Sequence, residues 1–275
     1  MSTVSVVRIG EGATSPLRTL REIWNYRDLF RALGVRDLRL RYRQTALGVA
    51  WVVLQPLAAA GIFAFVFGTI AKVPTDGQPY VLFSLAALTG WNFFSSVLTR
   101  SSVSLIQNPQ LVTRVYFPRL ILPMAVVPAA LVDLLVTIVA FLGIAAMQGR
   151  TPSAAFVTLP LVILLLGMLA LGAGFAAAAL AVRYRDVQYL LPVAIQLVLY
   201  ASPVAYSASA VSGEWRGLYY LNPLAAPLEL MRWTLLGTPF PGANHLAYSV
   251  AVALALCLVG AWVFRRIEQG FADEI

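Results

Sequence analysis

The chain has 275 residues, of which 60% are hydrophobic and only 12% carry a formal charge. Because soluble domains have about 25% charged residues, this composition excludes an ordinary water-soluble protein and indicates a membrane protein. We expect the net charge of +8 to reflect membrane topology rather than nucleic-acid binding, since basic residues gather on the cytoplasmic side. With one cysteine, Cys257, and one histidine, His245, the chain lacks the residues for an internal disulfide or a Cys/His metal cluster.

The segment that precedes the first apolar run is rich in arginine. Four of these residues, Arg36, Arg39, Arg41 and Arg43, fall within eight positions. Between residues 27 and 43 arginines alternate with leucine and phenylalanine, so a helix here has a basic face and an apolar face. Such a helix is typical of the membrane interface. The arginines either fix only the topology or bind an anionic lipid head group or an acidic partner.

Six intervals with few or no charges predict six transmembrane helices in an all-α integral membrane protein. Each interval exceeds the ~20 residues that a helix needs to cross the hydrocarbon layer. The intervals are 44–71, 77–99, 120–148, 151–182, 187–213 and 233–264. We therefore predict a cytoplasmic N-terminal segment at 1–43, a transmembrane domain at 44–265 and a cytoplasmic tail at 266–275.

The basic residues are distributed unevenly between the two sides of these spans. Sixteen of the twenty lysines and arginines lie on the side that carries both termini. Because positive charge is retained in the cytoplasm, we predict that both termini are cytoplasmic.

Two connections are more than turns. Residues 213–232, broken by Pro223 and Pro227, are too polar to span the membrane and too apolar to lie in water. They predict two re-entrant helices on the outer side, between spans five and six. On the cytoplasmic side, residues 101–119 place a short amphipathic piece between Pro109 and Pro118.

The sequence lacks the patterns of common catalytic sites. The only lysine, Lys72, stands outside any glycine-rich turn, so the chain has no P-loop for ATP. Asp133 is the only acidic residue well inside a predicted span, and it is either structural or the proton site of a carrier. Glu229 and Arg232, spaced i, i+3, are expected to pair in a structural role.

Aromatic residues form two groups. Those in the second predicted span are either core packing or a stacking surface for sugar rings: Trp91, Phe93 and Phe94. Those near the outer side are typical of an interfacial belt: Tyr200, Tyr206, Trp215, Tyr219 and Tyr220.

Five segments together resemble the ABC-2 permeases that export O-antigen polysaccharides and teichoic acids. The resemblance extends over residues 25–275, and capsule-exporting and drug-exporting permeases look like more distant relatives. The segments are LRYRQTALGVAWVVLQPL (40–57), GWNFFSSVLTRSS (90–102), VYFPRLILP (115–123), VRYRDVQYLLP (182–192) and LNPLAAPLELMRWTLLG (221–237).

The resemblance implies a transport subunit that is not itself an enzyme. It implies a homodimer in the bacterial cytoplasmic membrane, joined by two copies of an ABC ATPase that bind ATP and Mg²⁺. This chain would hold no cofactor, metal or catalytic residue. The implied substrate is a polysaccharide carried on polyprenyl diphosphate within membrane lipid, and no nucleic acid is involved.

The resemblance also implies roles for individual residues. A head group would bind near the interface helix, where the planar fork of arginine suits a diphosphate: Arg36, Arg39, Arg41 and Arg43. The cytoplasmic loop would be a coupling helix for the ATPase: Asn108, Pro109, Gln110, Leu111 and Arg114. Sugar-channel walls would include Trp91, Phe93, Phe94, Tyr200 and Tyr206. The re-entrant pair would form an external gate: Trp215, Tyr219, Tyr220, Glu229 and Arg232.

Two other functions stay open at this point. One is an ABC-2 permease for drugs or small lipids. The other is a carrier driven by protons through Asp133.

Overall fold

A computed structural model describes residues 24–42, 48, 50–211, 213–268 and 270–271. Over these residues the chain is helical without any strand, which confirms the predicted all-α class. Arg43 and the predicted domain boundary at 43–44 lie outside the described residues. The α-helices are α1 (Arg27–Tyr42), α2 (Ala50–Phe63, continued by a π-helix at Ala64–Ile70), α3 (Tyr80–Val103), α4 (Pro109–Arg114), α5 (Ile121–Met124), α6 (Val127–Met147), α7 (Leu159–Arg183), α8 (Val187–Ala201), α9 (Arg216–Leu221), α10 (Ala225–Leu236) and α11 (Ala243–Glu268).

Five helical segments of the described chain are long and apolar enough to cross a membrane. They coincide with five of the six predicted intervals: Ala50–Ile70, Tyr80–Val103, Ile121–Met147, Ala154–Arg183 and Ala243–Glu268.

The predicted interval 187–213 forms a shorter helix than expected. Its helix, α8, has 15 residues, which at 1.5 Å per residue gives about 22 Å, less than the ~30 Å hydrocarbon layer. The helix ends where Ser202 becomes extended (φ −100°, ψ 151°), and only a short 3₁₀ turn follows at Ala208–Ala210. A sixth full-length spanning helix is therefore not present at this position.

The predicted last span, 233–264, starts before the helix that the structure shows there. Trp233 to Leu236 complete α10, and Gly237 then reverses the chain with φ +72°. Glycine is the residue that adopts this left-handed conformation at a helix end without steric cost. The final helix begins only at Ala243.

Helix α3 forms the centre of the bundle. In the most apolar stretch of α3, 78% of the residues are buried, compared with 11% in the α2 span and 17% in α11. It contacts α2, α6, α7, α8 and α10. The outer spans α2 and α11 therefore leave apolar surface uncovered, including Trp51, Phe65 and Trp262.

Helices α7 and α11 approach each other most closely at two glycines. A Cβ at Gly260 would lie 2.0 Å from the carbonyl oxygen of Gly172, and a Cβ at Gly172 would lie 2.7 Å from the backbone nitrogen of Cys257. Small residues permit such backbone contact between membrane helices, where close packing drives association. Neither position has room for a side chain without separating the helices.

A hydrophobic cluster closes one end of the bundle, separate from the central core around α3. We call this end of the bundle the basic end. It joins Leu33 of α1, Val112 of α4, Phe117 of the following loop, and Phe264 and Phe271 near the C-terminus. The N-terminal helix, the loop around α4 and the last helix therefore meet at the same end.

Candidate functional site

The C-terminal residues of α1 hold Asp133 of α6. Arg41 forms an ion pair with one carboxylate oxygen of Asp133, and the Tyr42 hydroxyl donates a hydrogen bond to the other. Burial and the adjacent carboxylate raise the pKa of Tyr42 to about 12, so the hydroxyl keeps its proton at neutral pH and can donate. A carboxylate engaged by a cation and a hydroxyl favours the structural interpretation of Asp133 over a proton site.

Two further polar contacts attach α1 to its neighbours. Arg100, at the basic end of α3, pairs with Asp37 at 3.0 Å. The guanidinium of Arg36 donates to the side-chain oxygen of Asn108 at 2.6 Å. Since Asn108 directly precedes α4, helix α1 bridges α3, α6 and α4.

A polar cavity of about 330 Å³ lies beneath α1, between α2, α3 and α6. Apolar residues line part of it, and an aromatic ring, Phe93, contributes to one wall. Its polar lining comprises Arg41, Gln55, Thr89, Asn92, Ser95, Ser96, Thr99, Arg100, Asp133 and Thr137. Amides, hydroxyls and two guanidinium groups can together bind a ligand that is rich in hydroxyls and carries an anionic group.

The structure does not bring the predicted head-group arginines to one point. Arg41 faces the polar cavity. Arg36 and Arg39 instead line a shallow groove on the other side of α1, together with Arg31. Arg43 lies outside the described residues.

Sequence reasoning missed most of the polar lining of the cavity, including one charged residue and two amides. Arg100 was assigned only to topology, although it ends the second predicted span. Gln55 and Asn92 were overlooked. The available signal was the presence of these two amide side chains in the interior of otherwise apolar spans.

The predicted channel aromatics separate into different environments. Trp91 and Phe94 are buried, with ring centroids 5.7 Å apart, which indicates core packing within this subunit. Phe93 lines the polar cavity. Tyr200 is exposed on α8, and Tyr206 lies 6.1 Å from the Tyr219 ring at the opposite end of the bundle.

The predicted coupling residues form a short helix with an exposed tip. Asn108 precedes α4, and Pro109 begins it in the position where proline is best tolerated. Gln110 and Arg114 are exposed and Leu111 is half-buried, while Val112 anchors the helix in the cluster at the basic end. Sequence reasoning missed the adjoining exposed residue Tyr116.

Arg119 connects this loop to the C-terminus. Its guanidinium donates to the carbonyl oxygen of Glu268 at 2.7 Å and to that of Val112 at 3.4 Å. It also lies over the Phe271 ring, 5.8 Å from the centroid. Phe271 is fully buried and meets the Phe264 ring edge-on. The segment predicted as a tail from residue 266 is therefore packed into the basic end, at least to Phe271.

At the opposite end Arg232 is fully buried and pairs with Glu229 at 3.4 Å, as their spacing predicted. Its other hydrogen bonds go to backbone carbonyls: Phe83 at 3.2 Å, Val204 at 2.8 Å and Tyr206 at 3.1 Å. The guanidinium also lies over the Phe83 ring, 3.8 Å from its centroid. Arg232 therefore ties α3, α10 and the segment after α8 together.

Glu229 is engaged equally fully. Its Oε1 accepts hydrogen bonds from the backbone N–H of Ala208 at 3.0 Å and from the Tyr219 hydroxyl at 2.5 Å. Burial, and then the negative charge of Glu229, raise the pKa of Tyr219, so this hydroxyl stays protonated. With both partners occupied, neither Glu229 nor Arg232 presents a free charge to a ligand in this conformation.

The remaining predicted gate residues differ in their exposure. Trp215 is exposed, whereas Tyr220 is buried against His245 with the rings stacked 3.6 Å apart.

His245 lies in the first turn of α11 and Cys257 more than three turns later, about 18 Å away. At this separation the one cysteine and the one histidine of the sequence cannot act together as a nucleophile and its base.

Comparison with known proteins agrees with the helical arrangement. The sequence profile described as ABC-2 type transporter matches residues 28–236, from α1 through α10. An O-antigen export system permease protein RfbA from Myxococcus xanthus is 27% identical over 268 residues, covering 94% of this chain and all of the relative. One from Klebsiella pneumoniae is 26% identical over 247 residues, covering 90% and 94%. The chain therefore belongs to the ABC-2 type transporter family and is a multi-pass permease of the bacterial cytoplasmic membrane.

Proposed function

We propose that the chain is the membrane subunit of an ATP-driven exporter that moves a polysaccharide linked to polyprenyl diphosphate out of the cytoplasm. The observation that carries this proposal is the similarity, over nine-tenths of the chain, to permeases named for O-antigen export. The polar cavity supports it, because hydroxyl-binding groups beside two arginines suit a glycan with an anionic end.

The proposed topology has six crossings with both termini in the cytoplasm. The segment after α8 supports the fifth crossing, because Ser202, Pro203 and Val204 are buried although they are not helical. Irregular backbone is tolerated at membrane depth only where its polar groups are paired. Here the carbonyls of residues 204–206 accept bonds from the side chains of Arg232 and Tyr80. The crossing would thus consist of a short helix and a paired irregular segment.

Energy would come from a separate ATPase that binds ATP and Mg²⁺. Helix α4, with its exposed Gln110 and Arg114, is the proposed docking element for that subunit, together with the exposed Tyr116 of the following loop. The clamp between Arg119 and the C-terminus supports this role, because a docking helix must be rigidly attached to transmit motion. We propose a homodimer of the permease with two ATPase subunits.

We propose that residues 1–43 form a cytoplasmic segment with α1 at the interface, that 44–265 form the transmembrane domain and that 266–275 follow on the cytoplasmic side.

The lipid head group would bind at the basic end. Arg41, at the mouth of the polar cavity, and the exposed groove with Arg36 and Arg39 offer guanidinium groups to a diphosphate.

The outer gate would be formed by α9 and α10 as a re-entrant pair. In this role Glu229 and Arg232 keep the fold of the gate, while Trp215, Tyr219 and Tyr220 contribute its aromatic surface. The buried hydrogen bonds from Arg232 of α10 to the carbonyls of Val204 and Tyr206 support a gate that stays closed until α10 moves.

The experiment is purification of the permease together with an ABC ATPase from the same genome, followed by mass spectrometry of bound lipids. A polyprenyl diphosphate glycan retained by the complex is the expected result. A complex that retains none, and whose ATPase activity responds to small lipophilic drugs and not to such a glycan, would contradict the proposal.

A further inference from the structure

Polar side chains in the polar cavity have hydrogen-bonding capacity that the described protein does not use. The hydroxyls of Thr89, Ser95 and Thr137 bond back to carbonyls of their own helices. By contrast, the side chains of Gln55, Asn92, Ser96 and Thr99 line the cavity and hydrogen-bond to no residue that the structure describes. Because unpaired polar groups at membrane depth are costly, these four need water, a ligand or the second subunit of the proposed homodimer as partner.

The cavity extends from the basic end into the bundle. Arg100 lies at the basic end of α3, and Thr89 is eleven residues deeper on the same helix, about 16 Å along its axis. The guanidinium groups of Arg41 and Arg100 therefore stand at the mouth, and the amides lie further in. A ligand that fits this gradient has an anionic group at the interface and a neutral, hydroxyl-rich part inside.

The charges at the mouth are nearly balanced within the protein. Arg41 pairs with Asp133 and Arg100 pairs with Asp37. An anionic group therefore gains less there than beside unpaired guanidinium groups, because it must compete with a carboxylate for each of them. Selectivity has to come from the neutral part of the ligand and from the unpaired amides.

We propose that the polar cavity is a subsite for the sugar that is attached directly to the lipid diphosphate. This inference rests on the proposed function and specifies which part of the substrate the subunit recognises. The amides of Gln55 and Asn92 each offer a donor and an acceptor, which matches adjacent sugar hydroxyls. Phe93 supplies an apolar face for the C–H side of the ring. A volume of about 330 Å³ is near the lower limit for small-molecule pockets, ~300–1,000 Å³, so the cavity recognises a first sugar and not a polymer.

The test compares lipids that differ only in the sugar. The permease–ATPase complex in lipid nanodiscs is titrated with polyprenyl diphosphate and with the same lipid carrying one glucose, galactose or an N-acetylated amine of either. Two or three additional hydrogen bonds predict that at least one sugar-bearing lipid binds more tightly than the bare lipid by about tenfold or more.

Variants locate the effect in the cavity. Asn92→Leu and Gln55→Leu are expected to reduce the preference for the sugar-bearing lipid to below about twofold while the affinity for the bare lipid is retained. Retained binding of the bare lipid also shows that the variant is folded. Gln148→Leu makes the same chemical change at an exposed position beyond α6 and should keep the preference.

The outcomes separate the two proposals. If the wild type binds bare and sugar-bearing lipids equally, the subsite is refuted while the exporter assignment stands. If the wild type shows the preference and Asn92→Leu and Gln55→Leu both keep it, the sugar is recognised elsewhere and the subsite is again refuted. If none of these polyprenyl lipids binds, both proposals fail.

Discussion

Replacing Arg232 with methionine should destabilise the outer end of the bundle strongly. The substitution keeps an apolar chain of similar length but removes the donors for the carbonyls of Val204 and Tyr206 and the counter-ion of Glu229. Each orphaned carbonyl costs about 1–3 kcal/mol, and breaking a fully buried ion pair from one side costs about 3–5 kcal/mol in total. At about 2–4 °C per kcal/mol, we expect the melting temperature to fall on the order of 10 °C.

Size-exclusion chromatography of detergent extracts after stepwise heating measures this loss. Arg150→Met is the matched control, because Arg150 is exposed and the same change should leave the melting temperature within about 2 °C. Arg232→Lys should fall between the two, since an ammonium retains the charge but not the planar fork that reaches several carbonyls. Equal melting temperatures for Arg232→Met and wild type would refute the structural role assigned to this residue.

Three further substitutions test other contacts. Gly260→Val should prevent the protein from eluting as one monodisperse peak, because its Cβ would clash with the backbone of α7, whereas a Cβ at Gly143 meets no atom within 4 Å and Gly143→Val should behave as wild type. Monodisperse elution of both variants would contradict the close approach of α7 and α11. Phe271→Ala should lower transport per ATP hydrolysed, because the loop around α4 loses the contact between Arg119 and Phe271. Phe65→Ala, at an exposed position of the α2 span, should not. Unchanged transport per ATP in Phe271→Ala would show that this contact does not couple transport to hydrolysis. Tyr42→Phe removes a hydrogen bond to a charged group worth about 1.5–3 kcal/mol, so amide hydrogen exchange in α1 should accelerate about tenfold or more, and unchanged exchange would show that this bond does not hold α1.

The spans were predictable from sequence because long charge-free intervals have few alternatives in lipid. The break after α8 was not predictable in this way. The residues Ser202 to Tyr206 continue the apolar interval, and the local sign of a helix end is Pro203, which disfavours a helical conformation of Ser202. Their irregular backbone depends on donors from Arg232, 28 residues beyond Val204, and from Tyr80, 125 residues before Ala205.

The site was predictable in its chemistry but not in its arrangement. The density of arginines indicated a basic end, yet the direction of each side chain depends on a distant partner. Tyr42 and Asp133 are 91 residues apart, and Asp37 and Arg100 are 63 apart. At 100° per residue Arg41 lies about 160° around α1 from Arg39, so helical periodicity already separates the two. The tertiary contacts decide that the Arg41 side of α1 faces the cavity while Arg39 lines the outer groove.

The dependence of transport on a separate ATPase is the most direct test of the function. Liposomes containing the permease alone, or the permease with its ATPase, are loaded with a fluorescent polyprenyl diphosphate glycan, and its movement across the bilayer is followed with ATP or with a proton gradient. We expect movement only when the ATPase and ATP are both present. Movement by the permease alone, driven by a proton gradient and abolished by Asp133→Asn, would contradict an ATP-driven exporter and identify a proton-coupled carrier.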